Sequence, residues 1–418
     1  MTDNARRGST TRLLDRSDER FKHADTIATT ISAFVGRVRS GDLGSLPVVV
    51  GLVVICTAFQ SLNPVFLAPD NLVNLLFDCS TVGVISLGIV CILMVGEIDL
   101  SVGSVSGFSS ALVGVLWVNQ DWPLAVAIVT ALVLGASIGA LYAFLFNRLG
   151  MPSFVSTLAG LLAWLGLQLY LLGSSGSINL PYGSPLVNFG QMLVMPPIVS
   201  YLLAALAGLV VFVTGYRTAA RRQAAGLSAS SLGRMLLKAV LVTIALEFIV
   251  YYLTLGRGVP WMFGLFVGLC VVMNYALTRT KWGRSMSAVG GNREAARRAG
   301  IKVHRIYATA FMLCSTLAAA GGILAAARLA SSSQQAGTGD VNLNAIAAAV
   351  IGGTSLFGGR GSAYSALLGI VVIQSIASGL TLLDLSSSLR YMITGAVLAI
   401  AVIVDSLARR SRMSHGRA

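Results

Sequence analysis

Residues 149–216 read LGMPSFVSTLAGLLAWLGLQLYLLGSSGSINLPYGSPLVNFGQMLVMPPIVSYLLAALAGLVVFVTGY, 68 residues without one Asp, Glu, Lys or Arg. Two apolar runs, Ser153–Leu172 and Pro197–Tyr216, flank the polar but uncharged loop GSSGSINLPYGSPLVNFG. An uncharged apolar run of about 20 residues matches the ~30 Å hydrocarbon core of a bilayer when helical. Lipid offers the backbone no hydrogen-bond partner, so each run reads as a membrane-crossing α-helix.

The same reading extends in both directions. The chain has 418 residues, of which 55% are hydrophobic and 11% charged, with 45 glycines and a mean hydropathy of +0.80. Soluble domains carry about 25% charged residues. At about 20 residues per span, the apolar content allows on the order of ten to twelve helices. The fold class is all-α and polytopic, with some helices broken or re-entrant. Disorder, a secreted disulfide scaffold and a Rossmann-type enzyme are excluded by composition. Cys56, Cys79, Cys91, Cys270 and Cys314 all lie in apolar runs without a CxxC pair, and the histidines are His23, His304 and His415. No metal or other cofactor is expected.

The net charge of +14 is a topology label. Of the 30 basic residues, 25 fall in segments 1–45, 216–238, 279–305 and 408–418, between or outside the apolar runs. Basic loops resist translocation and stay cytoplasmic. No aromatic-interleaved basic groove accompanies them, so no nucleic acid is expected. Threading gives both termini inside. Residues 1–45 form a cytoplasmic tail expected to be disordered, 46–407 the transmembrane domain with the cytoplasmic loop 279–305, and 408–418 a second cytoplasmic tail.

The remaining spans are expected near Leu46–Leu62, Asn71–Gly96, Ser101–Val118, Pro123–Phe146, Leu236–Leu255, Trp261–Thr278, Ile306–Ala327, Ala363–Leu383 and Tyr391–Ile403. A short apolar piece covers Ala345–Phe357. It and 101–118 can be crossings or re-entrant, which leaves ten or twelve. Gly135 and Gly139 suit close helix packing. Trp117, Trp122 and Trp261 sit where interfacial anchors sit. Glu247, mid-span, is expected to pair with Arg257. Asp384, Arg390 and the Asp405, Arg409, Arg410 cluster read as solvated.

Two local features resemble each other. Gly96-Glu97-Ile98-Asp99-Leu100-Ser101-Val102-Gly103-Ser104 opens one Gly/Ser-rich helix, and Gly337-Thr338-Gly339-Asp340-Val341-Asn342-Leu343-Asn344 opens the short piece AIAAAVIGGTSLFGG. Paired short or broken segments in the two halves of a transporter point to its substrate site. Glu97, Asp99, Ser101, Asp340, Asn342 and Asn344 are therefore candidate pathway residues. The alternative is a pair of interfacial loops with helix-capping acids.

In the loop TRTKWGRSMSAVGGNREAARRAGIKVHRIY, Asn292 is a candidate N-cap, Glu294, Ala295 and Ala296 favour a short helix, and Gly300 ends it. This basic helix suits either acidic lipid headgroups or a docking partner. Its Glu-Ala-Ala, three residues, then Gly resembles the loop by which bacterial ABC importer permeases engage their ATPase subunit. With GEIDLSVGS, AGTGDVNLNAIAAAVIGGTSLFGGRG and GGNREAARRAGI, the chain over 46–407 resembles the monosaccharide permeases of ABC importers, the ribose, xylose, arabinose and galactose group. The span pair near 197–255 makes it more like the xylose type.

The resemblance implies a permease homodimer in the inner membrane, a separate ATPase subunit inside and a periplasmic sugar-binding protein outside. It also implies that Asn292, Glu294, Ala295, Ala296 and Gly300 couple to the ATPase. The chain has no G-x-x-x-x-G-K-[ST] loop, and none of its four lysines follows a glycine. It is expected to be a pore subunit and not an enzyme. The rival reading is an ion-coupled secondary transporter using Glu97, Asp99, Glu247 or Asp340 as ion sites.

Overall fold

The computed structural model describes residues 46–225, 229, 231–386, 388–396, 399 and 403. The expectations for the tails 1–45 and 408–418 lie outside these residues, as does part of the span near Tyr391–Ile403. The described chain divides into two compact bodies, one of 197–252 and a larger one of the residues before and after it.

The larger body opens with α1 (Leu46–Leu62), α2 (Pro69–Met94) and α3 (Val102–Gly114), which continues as one π turn to Asn119. Helices α4 (Leu124–Leu149) and α5 (Ser153–Leu172) follow, then strand β1 (Ser177–Asn179) and α6 (Pro185–Gln191). After the smaller body come α9 (Trp261–Arg279), α10 (Lys281–Gly291), α11 (Arg293–Arg298), α12 (Val303–Leu329), β2 (Ser331–Ser333), α13 (Val341–Ile351) and α14 (Ala363–Leu382).

Helices α2 and α12 form the centre. They pack on each other, α12 also packs on α3 and α4, and α2 also packs on α9, α13 and α14. Their small residues allow the approach. Gly88 lies against the Cys314 backbone, and a Cβ on Gly139 of α4 would overlap Phe311 and Met312 of α12. Gly135 sits one turn away against Ala319 and Ser315, so the glycine pair of α4 is a packing seam.

The smaller body is a helical hairpin, α7 (Pro197–Ala224) and α8 (Leu232–Thr254), the latter's last two residues falling in the larger body. Gly208 packs against Thr243 and Ala239. Leu202, Leu206, Leu237, Leu241 and Phe248 are exposed, as lipid-facing side chains are. The expected basic loop from Arg217 begins instead as the last two turns of α7. Ala, Arg and Gln are strong helix formers, so the helix does not stop where its apolar run does.

Among the described residues, nine helices are long and apolar enough to cross a membrane, and α3 with its π turn is one of them, at 18 residues. Helix α13 has 11 residues, about 16 Å of rise, which is half a bilayer. The Glu247–Arg257 expectation is corrected: Arg257 is 3.7 Å from Asp70, bonds the Asn74 side chain and stacks 6.0 Å over Phe77. Asp70 and Asn74 are one helical turn apart on α2, which gives the guanidinium both partners on one face.

Candidate functional site

The loop after α12 is where the two motif-bearing regions meet. Strand β2 pairs antiparallel with β1, Ser177 opposite Ser333 and Asn179 opposite Ser331. From there residues 334–340 run without helix along α3. Gly114 faces Ser332, Gly107 faces Ala336 and Gly103 faces Gly337, so the two segments run antiparallel with backbones in contact. Side chains at 103 and 107 would overlap the carbonyls of Gly337 and Ala336. Only glycine leaves that room.

Non-helical backbone beside an apolar span must have its polar groups satisfied within the protein. Gln168 does this for the segment, and Ser110, Ser332 and Asn342 tie the segment and the start of α13 to α3. The buried Gln168 donates through Nε2 to the Ser333 and Ala336 carbonyls, each at 2.9 Å. Ser110 donates to Ser332 Oγ at 2.9 Å, and Ser332 donates to the Ser110 carbonyl at 2.7 Å. Asn342 accepts, through Oδ1, the orphan N–H of Gly103 in the first turn of α3. The two motifs, matched in sequence, are thus in direct contact at the start of two helices.

A cavity of about 430 Å³ opens between this segment and α2, α12 and α14. Its polar wall comes from helical stripes. Asn71, Asn74 and Asp78 recur at intervals of three and four along α2, and Gln374, Ser378 and Thr381 do so along α14. Arg328, in the last turn of α12, reaches across to α2. Its Nε lies 2.8 Å from Asp78 Oδ1, its second nitrogen 3.4 Å from Asn74 Oδ1, and its guanidinium 5.1 Å over Phe77. Gln374 donates to the Asp78 carbonyl at 3.1 Å, and Asn71 donates to Ser378 at 3.3 Å. Ser106 and Val341 bring the starts of α3 and α13 to the same wall.

None of the six candidate pathway residues lines this cavity. Asp99 is fully buried. Its Oδ1 accepts from the Ser101 N–H at 2.8 Å and the Ser101 hydroxyl at 2.6 Å. Tyr142 donates to Ser101 Oγ at 2.8 Å, and Trp164 Nε1 donates to Tyr142 at 2.7 Å, which ties α3, α4 and α5 together. Glu97 accepts from Ser153 at 2.5 Å. Asn344 donates to Asp340 Oδ2 at 3.1 Å within α13's first turn. The residues that do line the cavity were missed in the sequence, although Asp78 as the lone charge inside an apolar span was a signal.

On the loop 279–305, Asn292 Oδ1 accepts from the Ala295 N–H at 2.9 Å and Gly300 has φ +81, the cap and stop expected of them. Glu294 and Ala295 are exposed, Ala296 is buried, and Glu294 accepts from Arg297 at 2.6 Å. Arg293 stacks over Phe146 and Tyr307 at 5.7 and 5.4 Å. Its charge also reaches Glu97: burial raises the Glu97 carboxyl above the ordinary glutamate range, opposed by the Ser153 hydroxyl and the Arg293 guanidinium. Next to it, Gly290 of α10 lies against the Met94 carbonyl and Gly359, a Cβ on Gly358 would come within 3.0 Å of Gly96, and the Gly359 N–H donates to the Met94 carbonyl at 3.0 Å. The helices of the loop 279–305, the turn between α2 and α3, and the turn between α13 and α14 therefore meet at one glycine junction.

The family described as branched-chain amino acid transport system / permease component matches residues 71–402. The xylose transport system permease protein of Escherichia coli (strain K12) is 36% identical over 350 residues, 82% of this chain and 87% of that protein. The Haemophilus influenzae protein of the same name is 30% identical, covering 88% and 98%. The ribose import permease protein of Bacillus subtilis (strain 168) is 31% identical, covering 87% and 94%. No solved structure matches. With nine candidate spans among its described residues, two helix-breaking motifs in contact and this match over most of its length, the chain belongs to this permease family, and within it to the monosaccharide permeases of ABC importers.

Proposed function

We propose that this chain is the translocation subunit of an ATP-driven importer for a monosaccharide, a pentose such as xylose. The observation that carries the reading is the 36% identity over 82% of the chain to a xylose transport permease. The subunit itself hydrolyses nothing. ATP is consumed on a separate ATPase chain, which docks at the cytoplasmic helix from Asn292 to Gly300, and a periplasmic binding protein delivers sugar to the opposite face. The permease works as a homodimer in the bacterial inner membrane with both termini cytoplasmic. Its basic face rests on acidic lipid headgroups.

The route for coupling is physical contact. Motion of the 292–300 helix reaches Gly290, and Gly290 touches both Met94 and Gly359. From there it passes to the turns that precede α3 and α14. Asp99 and Ser101 hold the start of α3, and Asn342 holds it to α13, so we assign Asp99, Ser101, Asp340, Asn342 and Asn344 to shaping the pathway, with Glu97 joining it to the docking loop. The test is affinity purification of the tagged protein in mild detergent followed by reconstitution. An ATPase with a phosphate-binding loop should co-purify, and uptake of radiolabelled xylose should need ATP and the binding protein. Recovery of the chain alone, with uptake driven by an ion gradient, overturns the reading in favour of a secondary transporter.

A further inference from the structure

We propose that the cavity between α2, α12 and α14 is the sugar-contact site of this permease. In it, Asp78 and Arg328 exchange their mutual bond for bonds to vicinal hydroxyls of the passing sugar. The inference rests on the monosaccharide-importer reading and names the residues that reading leaves open.

Three observations carry it. The first is size. A pentose has about ten non-hydrogen atoms, each occupying less than the ~30 Å³ of a water molecule, so it needs under about 300 Å³. The cavity offers about 430 Å³, enough for the sugar and a few waters and within the range of small-molecule sites. The second is chemistry. A sugar presents hydroxyls that both donate and accept, and this wall supplies a carboxylate acceptor, a guanidinium donor and the two-way amides of Asn71, Asn74 and Gln374. Phe77, stacked under Arg328, fixes the guanidinium from behind.

The third is position. Asp78 and Arg328 lie on the two central helices, and theirs is the ion pair that joins these helices across the cavity. The Asp78 side chain is 45% exposed and Arg328 20%. Both remain reachable, unlike the buried Asp99. A bond that a hydroxylated ligand can replace one for one lets substrate enter at little net cost, and the pair re-forms when the ligand leaves.

The experiment uses the full complex, with ATPase and binding protein, in proteoliposomes and radiolabelled xylose as the probe. The variants are Asp78→Asn, Arg328→Gln and the double substitution. Losing one partner of a purely structural ion pair strands a charge, and removing both relieves it. A structural role therefore predicts that the double variant recovers. The sugar-contact role predicts that the double variant is the worst of the three, with uptake down about ten-fold, while ATPase stimulation by the loaded binding protein stays within about two-fold of wild type.

Wild-type uptake by the double variant overturns the inference. So does recovery of uptake on going from either single variant to the double. Should the double variant fail to insert, Ser378→Leu fills the cavity from α14 without touching the pair: blocked uptake with retained ATPase docking supports the site, and undiminished uptake overturns it. A wild-type complex that shows no ATP-dependent uptake of any monosaccharide fails the parent reading instead, and the inference falls with it; the two failures are read from different proteins.

Discussion

Asn292 supplies the one side-chain cap of α11, a helix of only six residues. Such a short helix has no cooperative reserve, so Asn292→Ala, at about 1 kcal/mol for a lost cap, should fray it. The expected readout is ATPase that co-purifies poorly while the permease still inserts at wild-type yield. Glu294 is different. Its pair with Arg297 is surface-exposed, 53% and 69% for the two side chains, and such pairs stabilise by roughly 0–1 kcal/mol. Glu294→Ala should therefore leave melting unchanged and uncouple ATP hydrolysis from uptake; normal coupled uptake in this variant removes Glu294 from the docking surface. Glu97, beside this helix, has a pH signature. Burial raises its folded-state proton affinity, so the folded chain binds a proton there more readily than the unfolded chain. Its contribution to stability is then greatest at low pH and declines as pH rises above the ordinary glutamate value of about 4.3. Between about pH 4 and pH 7, the wild-type melting temperature should fall relative to that of Glu97→Gln; parallel profiles for the two proteins contradict this.

At the scale of elements, the long helices were legible in the sequence and the extended segment was not. Ser153–Leu172 and Leu46–Leu62 begin and end as helices where the apolar runs do, because in lipid the backbone has no alternative. The three-residue strands β1 and β2, by contrast, are Ser-rich and pair across 152–156 residues of chain, so no local propensity announces them. The motif pair was legible as two similar strings, but that Asn342 reaches Gly103 depends on tertiary packing. Gln168 illustrates the gap best. It is an amide in an apolar helix, and only the fold reveals that it satisfies two carbonyls of the 331–340 segment. Gln168→Leu should strand both carbonyls at about 1–3 kcal/mol each. Gly107→Ala should push α3 off the same segment, at about 1–3 kcal/mol for overpacking. Gly166→Ala, on the same helix as Gln168 but with no atom within 4 Å of the added carbon, is the control, and thermal melting in detergent should leave it at or above wild type. Equal melting of all three variants contradicts the load assigned to Gln168 and Gly107.

At the scale of the whole molecule, the question is how the chain alternates across the membrane when α13 covers only half of it. The segment 331–340 runs beside the length of α3 from Gly114 to Gly103, and α13 continues from there. We read the two together as one complete crossing, half non-helical and half helical. The glycine junction fixes where it ends: Gly358 and Gly359 touch Gly96, Gly290 and Gly291, on the face that carries the basic loop 279–305. On that reading both of the segments left open by the sequence, 101–118 and 345–357, belong to crossings, in line with the proposal that the two termini share one side. We propose that this side is cytoplasmic because 25 of the 30 basic residues sit in the four segments assigned to it. The geometry is testable with two single-cysteine reporters. Tyr182, 85% exposed beyond α5, should when replaced by Cys react with a membrane-impermeant maleimide added outside intact spheroplasts. Arg360→Cys, beside the glycine junction, should react only after the membrane is opened. The native cysteines lie within helices, four of the five buried, so background labelling is low. If α13 and its flanks instead re-entered and returned to the outer face, Arg360→Cys would label from outside, and the docking loop and the α13–α14 turn could not share the junction through which coupling is proposed to pass.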